Sequence, residues 1–199
     1  MRTFRIRTHA VLAAAFAALA GTAQAAAAQD LAPLTGTPVA YQVGMPVPAW
    51  ELLRNDEEMM QVGTADAVII ASAWDLLAQE QRNPAIPDHI HRTIVTNQWM
   101  DSDSLLMARV AEALSSTGNL QAEGRVEEMR TLGGERAAYM RTQWEREGDT
   151  GWAQAYVTVK DGIMYMLVHV VAGADADKYG EIFGRVHQSF VLAAAPPAS

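Results

Sequence analysis

The stretch WAQAYVTVKDGIMYMLVHVVA, residues 152–172, decides the fold. Two runs rich in β-branched and aromatic residues, 152–160 and 163–172, flank Asp161-Gly162, a pair that tolerates the positive φ required at both centres of a two-residue hairpin turn. Closing the hairpin there pairs Lys160 with Ile163 and Val159 with Met164, and so on down the ladder. Side chains alternate across a strand, so one face carries Ala153, Ala155, Val157 and Val159 opposite Val170, Val168, Met166 and Met164. That face is wholly apolar and must meet a core. The other carries Trp152, Gln154, Tyr156, Thr158 and Lys160 opposite Val171, His169, Leu167, Tyr165 and Ile163, a mixture of aromatic and polar groups.

Upstream, Gly133-Gly134 punctuates the chain, residues 136–145 alternate as a strand does, and 146–151 form a turn-rich loop. The three strands make an antiparallel meander. Continuing the alternation puts Ala138, Met140, Thr142 and Trp144 on the apolar face and Tyr139, Arg141, Gln143 and Glu145 on the mixed one. Downstream, Asp175 or Asp177 is placed to cap a helix running through Leu192, with Tyr179, Ile182, Phe183, Val186 and Phe190 recurring at spacings of three and four. Such a stripe has to lie on a sheet. A second helix is predicted within residues 100–119, entered through Asp101-Ser102-Asp103-Ser104 and stopped at Gly118-Asn119. Residues 67–74 and 91–97 read as strands, 39–44 and 125–130 give fainter strand signals, and 51–62 show no assignable period. Strands and helices in this order give an α+β fold, an α/β/α sandwich around a largely antiparallel sheet.

The ends set the expected compartment. Arg2, Arg5 and Arg7, then an apolar stretch of eleven residues (11–21), then Ala23-Gln24-Ala25 are the three parts of a cleavable signal peptide spanning residues 1–25. The apolar run is well short of the ~20 residues a membrane span needs. No stable membrane insertion is therefore expected after cleavage, and the mature chain is expected to be periplasmic or secreted. Composition reads residues 26–38 as a flexible linker and 193–199 as a disordered tail, leaving one domain over 39–192. The chain has no cysteine, which excludes disulfides and a lipid-modified cysteine at the cleavage site. Removing the signal takes three arginines and no acids from the 15 basic and 23 acidic residues, leaving 12 against 23 and a formal charge of −11. Such a surface repels phosphate backbones, so nucleic acid is not an expected partner.

Pro48-Ala49-Trp50, then residues 131–137 (TLGGERA), then a meander bearing Lys160-Asp161-Gly162 and Tyr165, then a helix ending in Gln188-Ser189-Phe190, together resemble the PsbP/DcrB-like superfamily. The likeness is concentrated in the C-terminal half. The resemblance implies an α/β/α sandwich and a non-enzymatic role as an extrinsic or envelope-associated binding or assembly factor, without naming a ligand. Its motifs are fold markers and none is catalytic. The lipid-attachment cysteine of some bacterial members is missing here.

The candidate chemistry is sparse. His89 and His91, on one side of the strand expected there, have metal-ligand spacing with Asp88 as a third donor. They would serve a small periplasmic hydrolase or metal-dependent enzyme. Exposed histidines after the Pro84 and Pro87 turns account for the same residues, and that reading is preferred. Residues 101–104 open like a calcium loop, yet the obligatory glycine and closing glutamate are missing, so they read as a helix cap. A nucleophile elbow and a glycine-rich phosphate loop are both lacking, and Glu57-Glu58 and Glu127-Glu128 are sequence neighbours that point apart. No catalytic residue and no cofactor site is assigned. Met59, Met60, Met129, Met140, Met164 and Met166 suit either an ordinary core or the adaptable groove of an envelope chaperone. The candidate binding face is the mixed one: Tyr139, Arg141, Trp152, Gln154, Tyr156, Tyr165 and His169 combine stacking area with hydrogen-bonding groups. The expected partner is an envelope protein or a small ligand.

Overall fold

In the computed structural model, the described residues are 31–36, 41–56, 59–79, 85–116, 121–122, 125–146, 148–175 and 177–192. The first five strands are β1 (Ala32–Gly36), β2 (Tyr41–Met45), β3 (Glu51–Asn55), β4 (Met59–Gly63) and β5 (Ala67–Asp75). Helices α1 (Asp88–Met100) and α2 (Asp103–Ser116) follow, then β6 (Gln121–Ala122), β7 (Val126–Leu132), β8 (Glu135–Arg146), β9 (Asp149–Lys160) and β10 (Ile163–Ala172). Helix α3 (Gly180–Ser189) and β11 (Val191–Leu192) end the described chain. The signal peptide, its cleavage site and the C-terminal tail lie outside the described residues.

The hairpin has the expected register, with Lys160 against Ile163, Val159 against Met164 and Val157 against Met166. Asp161 (φ 52°) and Gly162 (φ 75°) both adopt positive φ. A Cβ at Gly162 would also come within 3.0 Å of the Leu77 side chain. Gly162→Val is expected to lower stability by roughly 1–3 kcal/mol, read as a shifted denaturant midpoint, because a β-branched residue is strained at this φ.

The eight-stranded sheet runs β3-β4-β5-β10-β9-β8-β6, with β7 also pairing with β8, and every pairing in it is antiparallel. Its apolar face is the one read from the meander. Ala138, Met140, Trp144, Ala153, Ala155, Val157, Val159, Met164, Met166, Val168 and Val170 form one buried cluster with Val95 of α1 and Leu106, Val110, Ala113 and Leu114 of α2. The mixed face is buried as well. It packs under α3 through Ile182, Phe183 and Val186, and under a three-stranded sheet, β1-β2-β11, through Tyr41, Val43 and Met45. Helices on one side and a helix with a small sheet on the other make this the expected α/β/α sandwich of the α+β class.

Four local expectations are corrected. Residues 91–97, read as a strand from Thr93, Ile94, Val95 and Thr96, belong to α1. Tertiary contacts outweigh their β-branching: Val95 is buried, Thr96 Oγ1 accepts the Gly162 N–H at 3.0 Å, and Arg92 Nη1 donates to the Asp161 carbonyl at 2.8 Å. Helix α1 thus clamps the hairpin turn. The C-terminal helix starts at Gly180 rather than at an aspartate cap and stops at Ser189. Asp175 Oδ1 instead accepts the Asp177 N–H at 3.1 Å in the loop before it, and Phe190 turns extended so that β11 joins β2. The composition-based linker contains β1, where Leu34 lies opposite Val43 and packs on the core. Finally, the unassigned segment holds the β3–β4 pair, its period hidden by a register shift between Leu52 and Arg54 and by burial of every residue of β4.

Candidate functional site

Alternation along β8, β9 and β10 brings Tyr139 opposite Tyr156, Arg141 opposite Gln154, and Gln154 opposite His169. Helix α3 crosses above them. Its position is fixed from both ends. At the N-terminal end Asp66 accepts hydrogen bonds from Tyr179 (2.5 Å), from Lys178 and from Thr64 (3.1 Å). Burial alone would raise the Asp66 carboxyl, but these donors outweigh it and hold it below the usual carboxylate range. Trp50, from the Pro-x-Trp motif, is buried edge-on against Tyr179 at 5.3 Å. At the C-terminal end Ser189 Oγ accepts the Gly44 N–H at 2.8 Å and donates to the Val186 carbonyl at 2.7 Å.

The helix does not seal the face. A cleft of about 310 Å³ remains between α3 and strands β8–β10. Five of the sequence-predicted residues line it: Tyr139, Arg141, Gln154, Tyr156 and His169. Tyr165, 1 % exposed, is drawn into the core beneath the small sheet and does not line it. Trp152 stands beside it, in an open depression shared with Arg141 and Gln143. An exposed aromatic surface is therefore not what forms here. Tyr139, Tyr156 and His169 are buried, and the half-exposed Arg141 and Gln154 mark the mouth.

The covering elements add residues that sequence reading missed. Gly180, Gly184 and His187 of α3 line the cleft, at helical positions i, i+4 and i+7, with Asp177 just before the helix and Arg130 from β7. A Cβ at Gly180 or Gly184 would meet nothing within 4 Å, so the two glycines open the cleft on the helix side. That spacing was the one available signal: two glycines four apart in an amphipathic helix, off its apolar stripe.

The polar groups are unequally satisfied. Arg130 is held firmly, its guanidinium 3.6 Å from the Tyr139 ring centroid, with Nε donating to Glu128 Oε1 at 2.6 Å and Nη1 to the Tyr156 hydroxyl at 3.3 Å. His187 Nε2 donates to the Thr131 carbonyl at 2.7 Å, which fixes its proton on that nitrogen, and its ring leans on Tyr156 at 4.3 Å. Arg141 is looser. Its guanidinium lies 4.8 Å from the Trp152 ring centroid, its Nη2 is 3.9 Å from Asp177 Oδ1, and its buried Nε has no hydrogen-bond partner among the described residues. His169, 2 % exposed, stacks on Phe183 at 4.3 Å, and neither ring nitrogen has a partner among the described residues. Burial, with a smaller push from His187, lowers its pKa to about 3, so the imidazole is neutral at physiological pH.

The metal reading of residues 88–91 is not supported. His89 and His91 lie two apart on α1, about 200° around a helix, and point to different sides instead of sharing one side of a strand. Among the described residues no three His, Asp or Glu side chains converge as metal ligands. Of the methionines considered for a groove, Met60 belongs to one core and Met59, Met140, Met164 and Met166 to the other, while Met129 is 37 % exposed.

No protein-family profile matches this chain, and no curated protein sequence does. Among solved structures the chain is similar to the solution structure of cyanobacterial PsbP from Synechocystis sp. PCC 6803, with 15% sequence identity over 87% of this chain and 99% of that one and a TM-score of 0.46.

Proposed function

We propose that this is an exported, non-enzymatic binding protein whose ligand site is the cleft between α3 and the β8–β10 face. One observation carries the reading. Among the described residues, His169, buried with neither ring nitrogen partnered, and Arg141, with a buried and unpartnered Nε, line the same cavity. Buried polar groups left without partners cost about 1–3 kcal/mol each, a cost that a ligand bound in the cleft would relieve. The volume sits at the lower end of the ~300–1,000 Å³ of small-molecule sites, which favours a small ligand over a protein surface. The lining offers guanidinium, amide, phenol and a neutral imidazole, groups that hold and orient a molecule. Export rests on the signal features of residues 1–25, and no helix among the described residues is long and apolar enough to cross a membrane.

The test uses the mature protein and Gly184→Leu, a variant that fills the cleft from the open side of α3. Replacing an interior helical glycine favours the helix by roughly 0.5–1 kcal/mol, so the variant should fold at least as well as wild type. In a thermal-shift screen of small metabolites, the wild type is expected to gain several degrees with a saturating ligand and Gly184→Leu to gain none. Consumption of any compound by the purified protein would overturn the non-enzymatic reading. Equal shifts in both proteins would overturn the site.

A further inference from the structure

We infer that the cleft takes a small hydroxy-carboxylic acid, its carboxylate on the Nε–Nη2 edge of Arg141 and its hydroxyl on the ring of His169. The inference rests on the ligand-site reading above and names the ligand class.

The carboxylate follows from Arg141. A guanidinium only donates, and Nε and Nη2 form the edge that grips a carboxylate with two parallel hydrogen bonds. Among the described residues Nε has no acceptor, and the acid paired with Nη2, Asp177, is 3.9 Å away with a side chain 80 % exposed. That pair is too long for a hydrogen bond and too wet to compete strongly, so a ligand carboxylate displaces little. Arg130 does not offer a second such edge, since Glu128 and Tyr156 already engage it. The chain as a whole is acidic, yet the cleft is lined by two arginines and a single acid, Asp177. Local charge therefore selects an anion against the sign of the overall field.

The hydroxyl follows from His169. A neutral imidazole has one N–H donor and one bare acceptor nitrogen, and neither is matched among the described residues. A carboxylate satisfies only the donor. A hydroxyl both accepts and donates, so it pairs with whichever nitrogen it meets in either tautomer. Phe183 stacks on one face of the ring, and His169 is among the residues that line the cleft.

Malate and succinate differ by one hydroxyl and serve as probes, with inorganic phosphate and glycerol as the tetrahedral-anion and neutral controls. Calorimetric titration of the mature protein is expected to give saturable malate binding, about tenfold or more tighter than succinate, because an unmatched buried polar group penalises the analogue that lacks the hydroxyl. Arg141→Gln should abolish binding of both acids, and His169→Phe should bring malate down to the succinate level. The long-range nitrogen signals of the His169 ring should move with malate and stay with succinate. Equal affinity for the two acids, tighter binding of phosphate or glycerol, or no binding of any probe at millimolar concentration would overturn the inference. Gly184→Leu separates the two claims. If it blocks a ligand that is not an acid, the cleft stands and the acid fails; if malate binds it as well as wild type, the cleft itself fails.

Discussion

Val157→Asp is expected to abolish the cooperative melt of the mature protein, while Gln154→Ala shifts it by less than about 1 kcal/mol. Val157 is fully buried in the centre of β9, opposite Ala138 on one side and Met166 on the other. It sits in the apolar cluster under α1 and α2. An aspartate there loses ~1.5–3 kcal/mol of apolar burial and adds an unpaired carboxylate, which the interior tolerates only by protonating it at a cost of several kcal/mol more. The sum is comparable to the whole stability of a domain this size, about 5–15 kcal/mol. Gln154, three residues before it in β9, points to the other side and is half-exposed at the mouth of the cleft, so truncation removes little packing. The contrast tests the register itself. A slip of one residue exchanges the two faces, and then Gln154→Ala would unfold the protein and Val157→Asp would not.

Much of the fold was legible because one turn dictates one register. Asp161-Gly162 fixes which residues of three strands share a face, and the pattern of Ala, Val and Met then identifies the core side without further information. The helix stripe of Ile182, Phe183 and Val186 was legible for the same reason of period, and so was the serine before α2, where Ser102 Oγ accepts the Leu105 N–H at 3.4 Å. What failed was decided at a distance. Residues 91–97 have the composition of a strand, and their helix is held by the hairpin turn some 70 positions later. Strand β1 exists because Tyr41 to Met45 offers it an edge, and no local pattern announces that.

The candidate site divides along the same line. Its floor came from alternation, so Tyr139, Arg141, Gln154, Tyr156 and His169 were found together. Its walls belong to α3 and β7, whose placement over the sheet is a matter of packing, so Arg130, Gly184 and His187 were not. The mixed chemistry of the face pointed to binding, while the depth of burial, which turns a surface into a cleft, was invisible before the helix was in place.

Replacing His169 with Phe is expected to remove most of an acid-sensitivity that the wild type carries. In the folded state burial lowers the pKa of this imidazole to about 3, against about 6.5 in an unfolded chain. Between those values the unfolded state binds a proton that the folded state refuses, so stability is complete above pH 6.5 and is lost as the pH falls toward 3. The slope is about 1.4 kcal/mol per pH unit, or roughly 2–3 kcal/mol between pH 6.5 and 4.5. Charged and titratable groups lining the same cleft are Arg130 on β7, Tyr139 and Arg141 on β8, Tyr156 on β9, Asp177 before α3 and His187 on α3. His187 contributes a smaller lowering of the His169 pKa beside the effect of burial. Carboxylates elsewhere, Asp66 among them, also favour the folded state less as they protonate, and they cancel in the difference between the two proteins. At pH 7.5 the variant should match or exceed the wild type by about 1–2 kcal/mol, because two unpartnered polar atoms leave the interior and the neighbouring cleft accommodates the larger ring. Denaturant titrations of both proteins from pH 7.5 to 4.5 measure this directly. Parallel curves would mean that His169 titrates freely with a partner of its own, and with that the unsatisfied histidine that marks the cleft as a ligand site would be gone.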